Sequence, residues 1–258
     1  MGKIVAIVNQ KGGVGKTTTA VNLSAGIGLA GKKVLLVDAD PQGNTTSGFG
    51  ISKKNAVNTS YELLLGSVSA VAATDSTAFK NVDIIPASMN LAAAEIDLIE
   101  TKHRESQLKT ALSAVREKYD YIFIDCPPSL GLITINALVA ADTVLVPIQC
   151  EYYALEGLSQ LIASIRQVKR LYNATLEIEG IVLTMYDARL NLTNQVVGEI
   201  KKYFAGKLYK TAIPRAVRLS EAPSHGRPIQ YYDARSKGSI AYNDLAKEFV
   251  KRNRRMGI

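Results

Sequence analysis

Lys11-Gly12-Gly13-Val14-Gly15-Lys16-Thr17-Thr18 stands between the first apolar run of the chain and its first helix-compatible stretch. Glycines in such a loop let backbone N–H groups close around phosphate oxygens, Lys16 can reach the β and γ phosphates, and Thr17 offers a hydroxyl to Mg²⁺. Two details depart from the ordinary phosphate-loop pattern G-x-x-x-x-G-K-[ST]. The residue five places before Gly15 is Gln10 instead of glycine, and a second lysine, Lys11, stands at the loop entrance. The reading is a nucleotide site in which Lys11, Gly12, Gly13, Val14, Gly15, Lys16, Thr17 and Thr18 all take part.

The flanking segments agree with that reading. Ile4-Val5-Ala6-Ile7-Val8 is the short apolar run expected of a strand buried on both faces. Thr18 to Ala30 suits a helix, with Gly31 as its C-terminal stop. Such a helix aims its N-terminal dipole and free N–H groups at the phosphates. Gly26-Ile27-Gly28-Leu29-Ala30-Gly31 also spells G-x-G-x-x-G, with Asp38 closing the next strand. A dinucleotide fingerprint comes directly after a strand, whereas these glycines end a helix, so the NAD reading is rejected.

Length and composition bound the rest. The 258 residues, 47% hydrophobic, can bury a full core, and one domain over 1–258 is expected. No apolar run reaches the ~18 to 20 residues that span a bilayer, and only five apolar residues follow Lys3, so a cytoplasmic protein without signal peptide is expected. Cys126 and Cys150 lie in or beside apolar segments, as reduced buried thiols do. Net charge is +8, unevenly spread: residues 201–258 hold 14 Lys or Arg against 4 Asp or Glu, and residues 1–200 hold 17 against 19. The basic excess is therefore C-terminal.

Further β-branched runs occur at 34–37, 82–85, 121–124, 143–148 and 178–184, separated by helical stretches at 103–118, 131–140, 156–172, 192–204 and 239–252. This alternation predicts an α/β fold, a mainly parallel twisted sheet with helices on both faces. The first strand begins at once, so no N-terminal helix-turn-helix domain is expected.

Ligands of open parallel sheets sit at the carboxyl ends of the strands. Asp125 closes Tyr121-Ile122-Phe123-Ile124 in the manner of a Walker B carboxylate that holds Mg²⁺ directly or through water. Asp38 and Asp40 close the second strand in the same way.

Lys11 to Thr18, Asp38 to Asn44, Asp125 to Gly131, Glu151-Tyr152-Tyr153-Ala154-Leu155-Glu156-Gly157 and Pro214 to Ser224 together resemble the ParA-type partition ATPases, in particular their short Soj-like branch. The resemblance spans practically the whole chain. It implies a P-loop ATPase with a deviant Walker A motif, of the wider MinD/ParA class, active as an ATP-sandwich homodimer. By that resemblance Lys16 neutralises the β and γ phosphates, Thr17 and Asp125 serve Mg²⁺, and Lys11 reaches the partner's nucleotide. Asp40 orients or activates the attacking water near the metal, supported by Asp38, and the segments starting at Asp40 and Asp125 are switches sensing the γ phosphate. Met185, Pro214 and Arg215 would flank the adenine.

The resemblance also implies non-specific DNA binding by the ATP dimer at the nucleoid and a ParB-like, centromere-binding partner that stimulates hydrolysis. In 239–252, Ala241, Leu245 and Phe249 form an apolar stripe, while Lys247, Lys251 and Arg254 follow another face. With Arg189 and Arg218, these three are the candidate DNA contacts. Two alternatives stay open. A MinD-like membrane ATPase would need a bulky apolar C-terminal anchor, and the tail Lys251 to Ile258 has only Met256 and Ile258 as large apolar groups. A nitrogenase-reductase-like carrier would use Cys126 and Cys150 to cradle an iron–sulfur cluster. A related tyrosine kinase is disfavoured, since no tyrosine cluster ends the chain.

Overall fold

A computed structural model describes residues 1–151 and 154–254. Tyr152 and Tyr153, quoted above for the resemblance, and the tail residues Arg255 to Ile258, weighed as a membrane anchor, lie outside the described residues.

The chain runs β1 (Lys3–Ile7), α1 (Lys16–Leu29), β2 (Val34–Asp38), α2 (Asn44–Gly48), α3 (Ser60–Leu64), β3 (Asp75–Ser76), β4 (Val82–Ile85), α4 (Ala94–Asp97) and α5 (Gln107–Ser113). It continues through β5 (Tyr121–Asp125), α6 (Leu132–Ala140), β6 (Thr143–Gln149), α7 (Ala154–Leu171), β7 (Glu177–Thr184), α8 (Asn191–Phe204), α9 (Val217–Glu221), α10 (Ile229–Tyr232) and α11 (Lys237–Arg254). The strands form one sheet in the order β3-β4-β2-β5-β1-β6-β7, parallel except for the short β3 at the edge.

Alternation along the strands explains the layers. Val5 and Ile7 of β1 face one core with Leu23, Tyr242 and Phe249, while Ile4 and Ala6 face the other with Leu138, Leu161 and Val196. Thus α1, α10 and α11 cover one face and α5 to α8 the other. The chain leaves β1 toward β2 on one side and later crosses from β5 to β6 on the opposite side. The crevice at the carboxyl end of β1 lies where these directions diverge, which is where the phosphate loop emerges.

The rejected glycine motif has a packing role. A Cβ on Gly26 would stand 2.9 Å from that of Ala246, and one on Gly28 would stand 2.3 Å from the Lys80 carbonyl oxygen. Gly31 takes the left-handed conformation (φ 86) just past the C-cap Ala30. These glycines let α11 and the β4 approach crowd against α1.

The expected helix over 103–118 is a correction. Only Gln107–Ser113 is α-helical, flanked by 3₁₀ turns at Arg104–Ser106 and Arg116–Lys118. His103 is left-handed (φ 54), which prevents an earlier start. At the other end the Arg116 guanidinium is drawn to the Gly2 carbonyl at 2.8 Å and to Asp142 at 2.6 Å, pulling the chain out of helical register.

Candidate active site

The phosphate loop is shaped by its own glycines and anchored by distant strands. Gly15 caps α1 in the left-handed region (φ 86), and Gly13, two residues earlier in the loop, is left-handed as well (φ 73). The Thr184 hydroxyl, at the end of β7, donates to the Val14 carbonyl at 2.8 Å, and Asn9 holds both the Pro147 carbonyl (2.8 Å) and the Lys11 N–H (3.0 Å). Lys16 is buried at the start of α1, its Nζ donating to the Lys11 carbonyl at 3.2 Å, a contact a phosphate oxygen can replace.

Beneath the loop lie two acids. Strand register sets Asp38 opposite Asp125, and Asp125 opposite Ile7. Both carboxylates are fully buried. Asp125 Oδ2 accepts from the hydroxyls of Thr17 (2.8 Å) and Thr45 (2.7 Å), while its Oδ1 has no partner among the described residues. Asp38 accepts from the Thr46 N–H and hydroxyl and, at 3.2 Å, from the Asp40 N–H. Asp40 in turn accepts from the Gln42 N–H at 2.9 Å. Asp38 thus supports Asp40 through the backbone.

Burial, reinforced by Asp125, pushes the Asp38 carboxyl up from 3.8 to about 7 against hydrogen bonds from Thr46 and Asp40. Burial likewise raises Asp125 to about 6, opposed by the two threonine hydroxyls. The Lys16 ammonium is depressed by burial, with Asp125 its strongest opposing charge. A buried, unpartnered carboxylate oxygen beside a phosphate-loop threonine is a hard oxygen donor set that fits Mg²⁺.

These shifts carry a sign. An acid whose folded pKa lies above its unfolded value binds more protons when folded, so its contribution to stability falls as pH rises between the two. For Asp38 that window runs from 3.8 to about 7. Nucleotide-free protein is expected to melt higher near pH 5 than near pH 8, with Asp38→Asn flattening the slope. A melting temperature that instead climbs across this range would contradict the assignment.

Two cavities meet at Met185, itself left-handed (φ 49). One, of about 340 Å³, is lined by the phosphate-loop residues, Asp40, Gln42 and Asn44. The other, of about 540 Å³, is walled by Thr184, Met185, Pro214, Arg215 and Leu219. The expected base-flanking residues are therefore brought together beside the loop, in a slot large enough for a purine.

Lys11 is not among the residues lining the phosphate cavity. It is partly exposed and forms an ion pair with Glu151, just past β6. The basic candidates do not converge. Arg189 follows β7 and Arg218 lies on α9 beside the larger cavity, paired with Asp187 (2.6 Å) and Glu221 (2.8 Å). Lys247 pairs with Asp244, Lys251 is exposed, and Arg254 reaches the opposite end of the sheet, near Lys32, Lys33 and Lys118. Thr45, Thr46 and Thr184 escaped the sequence reading, although the Thr45-Thr46 pair directly follows the Asp40 segment.

Both cysteines are buried in the core, with Cys126 pushed well above and Cys150 up to about 11 by burial.

A glycine loop capping the helix after a central parallel strand, over a lysine, a threonine and a strand-end aspartate, defines a P-loop nucleoside triphosphatase. A family model described as an AAA domain matches residues 2–178. The sporulation initiation inhibitor protein Soj of Bacillus subtilis strain 168 is 60% identical over 248 residues, 96% of this chain and 98% of its own length. The chromosome partitioning protein ParA of Myxococcus xanthus is 51% identical over 98% of this chain and 89% of its own. Among solved structures, one described as cobyrinic acid a,c-diamide synthase of Mycobacterium smegmatis, with bound ATP analogue and magnesium, superposes with a TM-score of 0.83 at 36% identity. It covers 96% of this chain and 93% of its own. The chain belongs to the Soj/ParA family of partition ATPases.

Proposed function

We propose that this chain is an ATP-dependent DNA partition ATPase built as one unit over residues 1–258. ATP binding drives a sandwich homodimer that holds non-specific double-stranded DNA at the nucleoid of the cytoplasm, and hydrolysis releases it. A ParB-like partner stimulates the hydrolysis. The observation that carries the reading is Lys11: its ammonium leaves its own phosphate cavity and stands, partly exposed, on Glu151. A lysine so placed is available to a nucleotide held by a second copy.

In hydrolysis a water attacks the γ phosphorus as the bond to the β–γ bridging oxygen breaks, leaving ADP and phosphate. Asp40 orients that water and takes up its proton. Lys16 and the loop N–H groups meet the charge on the phosphate oxygens. Thr17 and the Asp125 carboxylate, with Asp40, would hold Mg²⁺, which would supply charge neutralisation when bound with the nucleotide. Asp38 holds Asp40 in place through its N–H.

The side-chain pairs of Arg189, Arg218 and Lys247 are exposed, so their acids hold them weakly and DNA phosphates can compete. Placing two protomers on one DNA doubles the contacts without any base-reading element. Co-sedimentation tests this: with ATP the protein is expected to pellet with random-sequence DNA, and with ADP to stay in the supernatant. Affinity should fall by about 0.9 log unit per log unit of salt for each phosphate contact. Equal pelleting with ADP and ATP would sink the reading, and ATP-dependent pelleting with anionic liposomes would favour the MinD-like alternative. Among the described residues no helix is long and apolar enough to cross a membrane.

A further inference from the structure

Two hydroxyls converge on a single oxygen of Asp125. Thr17 donates to Oδ2 from α1 at 2.8 Å and Thr45 from α2 at 2.7 Å, while Oδ1, equally buried, has no partner among the described residues. Thr45 is itself fully buried. A carboxylate flanked by nothing else can rotate and exchange its two oxygens. Here rotation would break two charge-assisted hydrogen bonds together, so the orientation is held.

α2 starts directly after Gly43 (φ 61) and follows the segment that carries Asp40. The next residue, Thr46, clasps Asp38 with its N–H (2.8 Å) and hydroxyl (2.7 Å), and its oxygen accepts the Ala87 N–H at 2.9 Å. Adjacent threonines therefore tie one short helix to both buried acids. Thr17 alone would leave the Asp125 side chain linked to the phosphate loop, with the Asp40 segment joined only by the backbone bond from the Ala39 N–H to the Asp125 carbonyl at 2.9 Å.

We propose that Thr45 is a positioning residue for the Mg²⁺ of the bound nucleotide: it pins Oδ2 of Asp125, keeps Oδ1 for the metal's coordination shell, and so ties metal loading to the Asp40 segment. This rests on the Mg-nucleotide reading given above. It assigns Thr45 no contact with substrate.

The test compares wild type with Thr45→Val, which keeps the shape and removes the hydroxyl, and with Thr45→Ser, which restores it. The readout is binding of a fluorescent ATP analogue in EDTA and across a Mg²⁺ titration, with melting temperatures measured alongside. Affinity in EDTA should agree within about twofold for all three. The Mg²⁺ concentration giving half of the affinity gain should rise about ten- to a hundredfold in Thr45→Val, as for loss of one hydrogen bond to a charged group, and return in Thr45→Ser. If Thr45→Val does not fold, Thr45→Ala is read in the same way. A lowered melting temperature with an unmoved Mg²⁺ midpoint would make Thr45 merely structural and overturn the proposal. Loss of affinity in EDTA as well would overturn it too. Absence of any Mg²⁺ dependence in wild type would overturn the Mg-nucleotide reading itself, and this inference with it.

Discussion

Asp40→Ala is expected to bind ATP and form ATP-dependent dimers at near wild-type strength while hydrolysing about 10²- to 10⁴-fold more slowly, the range for removal of a general base. Asp40 is buried at the wall of the phosphate cavity, and its carboxylate is aimed by the Gln42 N–H on one side while its own N–H is held by Asp38. It makes no contact that shapes the phosphate loop among those described, so nucleotide affinity should survive its loss. Single-turnover hydrolysis measured beside equilibrium nucleotide binding checks this. Unchanged turnover would show that Asp40 serves only the turn at Pro41 to Gly43.

Lys11→Ala is expected to bind ATP within about threefold of wild type and to lose the ATP-dependent dimer in analytical ultracentrifugation. Pelleting with DNA in ATP should fall to the ADP level. The reason is placement. Lys16 supplies positive charge inside the cavity, whereas the Lys11 ammonium sits outside it on Glu151. Phosphoryl transfer responds strongly to charge delivered from a second subunit, by 10³- to 10⁵-fold where an arginine is supplied in trans. Glu151→Gln provides the control: if Lys11 mattered only as the partner of Glu151, both variants would lose the dimer alike. A dimer of normal strength in Lys11→Ala would remove Lys11 from the interface.

The strands at 34–37, 82–85, 121–124, 143–148 and 178–184 were all legible, because strands buried on both faces are continuous apolar runs bounded by polar turns. The two-residue β3 was not, since Asp75 and Ser76 are exposed and carry no apolar signal. Short α2, α3, α4, α9 and α10 were also missed. Each is four or five residues long, too short for a helical period to show. The phosphate loop was readable because its glycines and lysine are contiguous. Thr45 was not, because a threonine near a switch looks the same whether it faces solvent or a buried carboxylate.

Sequence by itself determined the class of fold, the loop that takes phosphates and the acids at the ends of β2 and β5. These depend on local periodicity and contiguous motifs, and each is written within a few residues. Tertiary structure decided what meets what. β5 inserts between β2 and β1, which sets Asp125 beside Asp38 and under Thr17 and Thr45. The return of β6 beside β1 carries Glu151 to Lys11 across 140 residues. The basic C-terminal excess, one feature in composition, is divided between the two ends of the sheet by the length of α11. Strand order is fixed by which buried faces fit together over the whole core, and no local stretch of sequence records that choice.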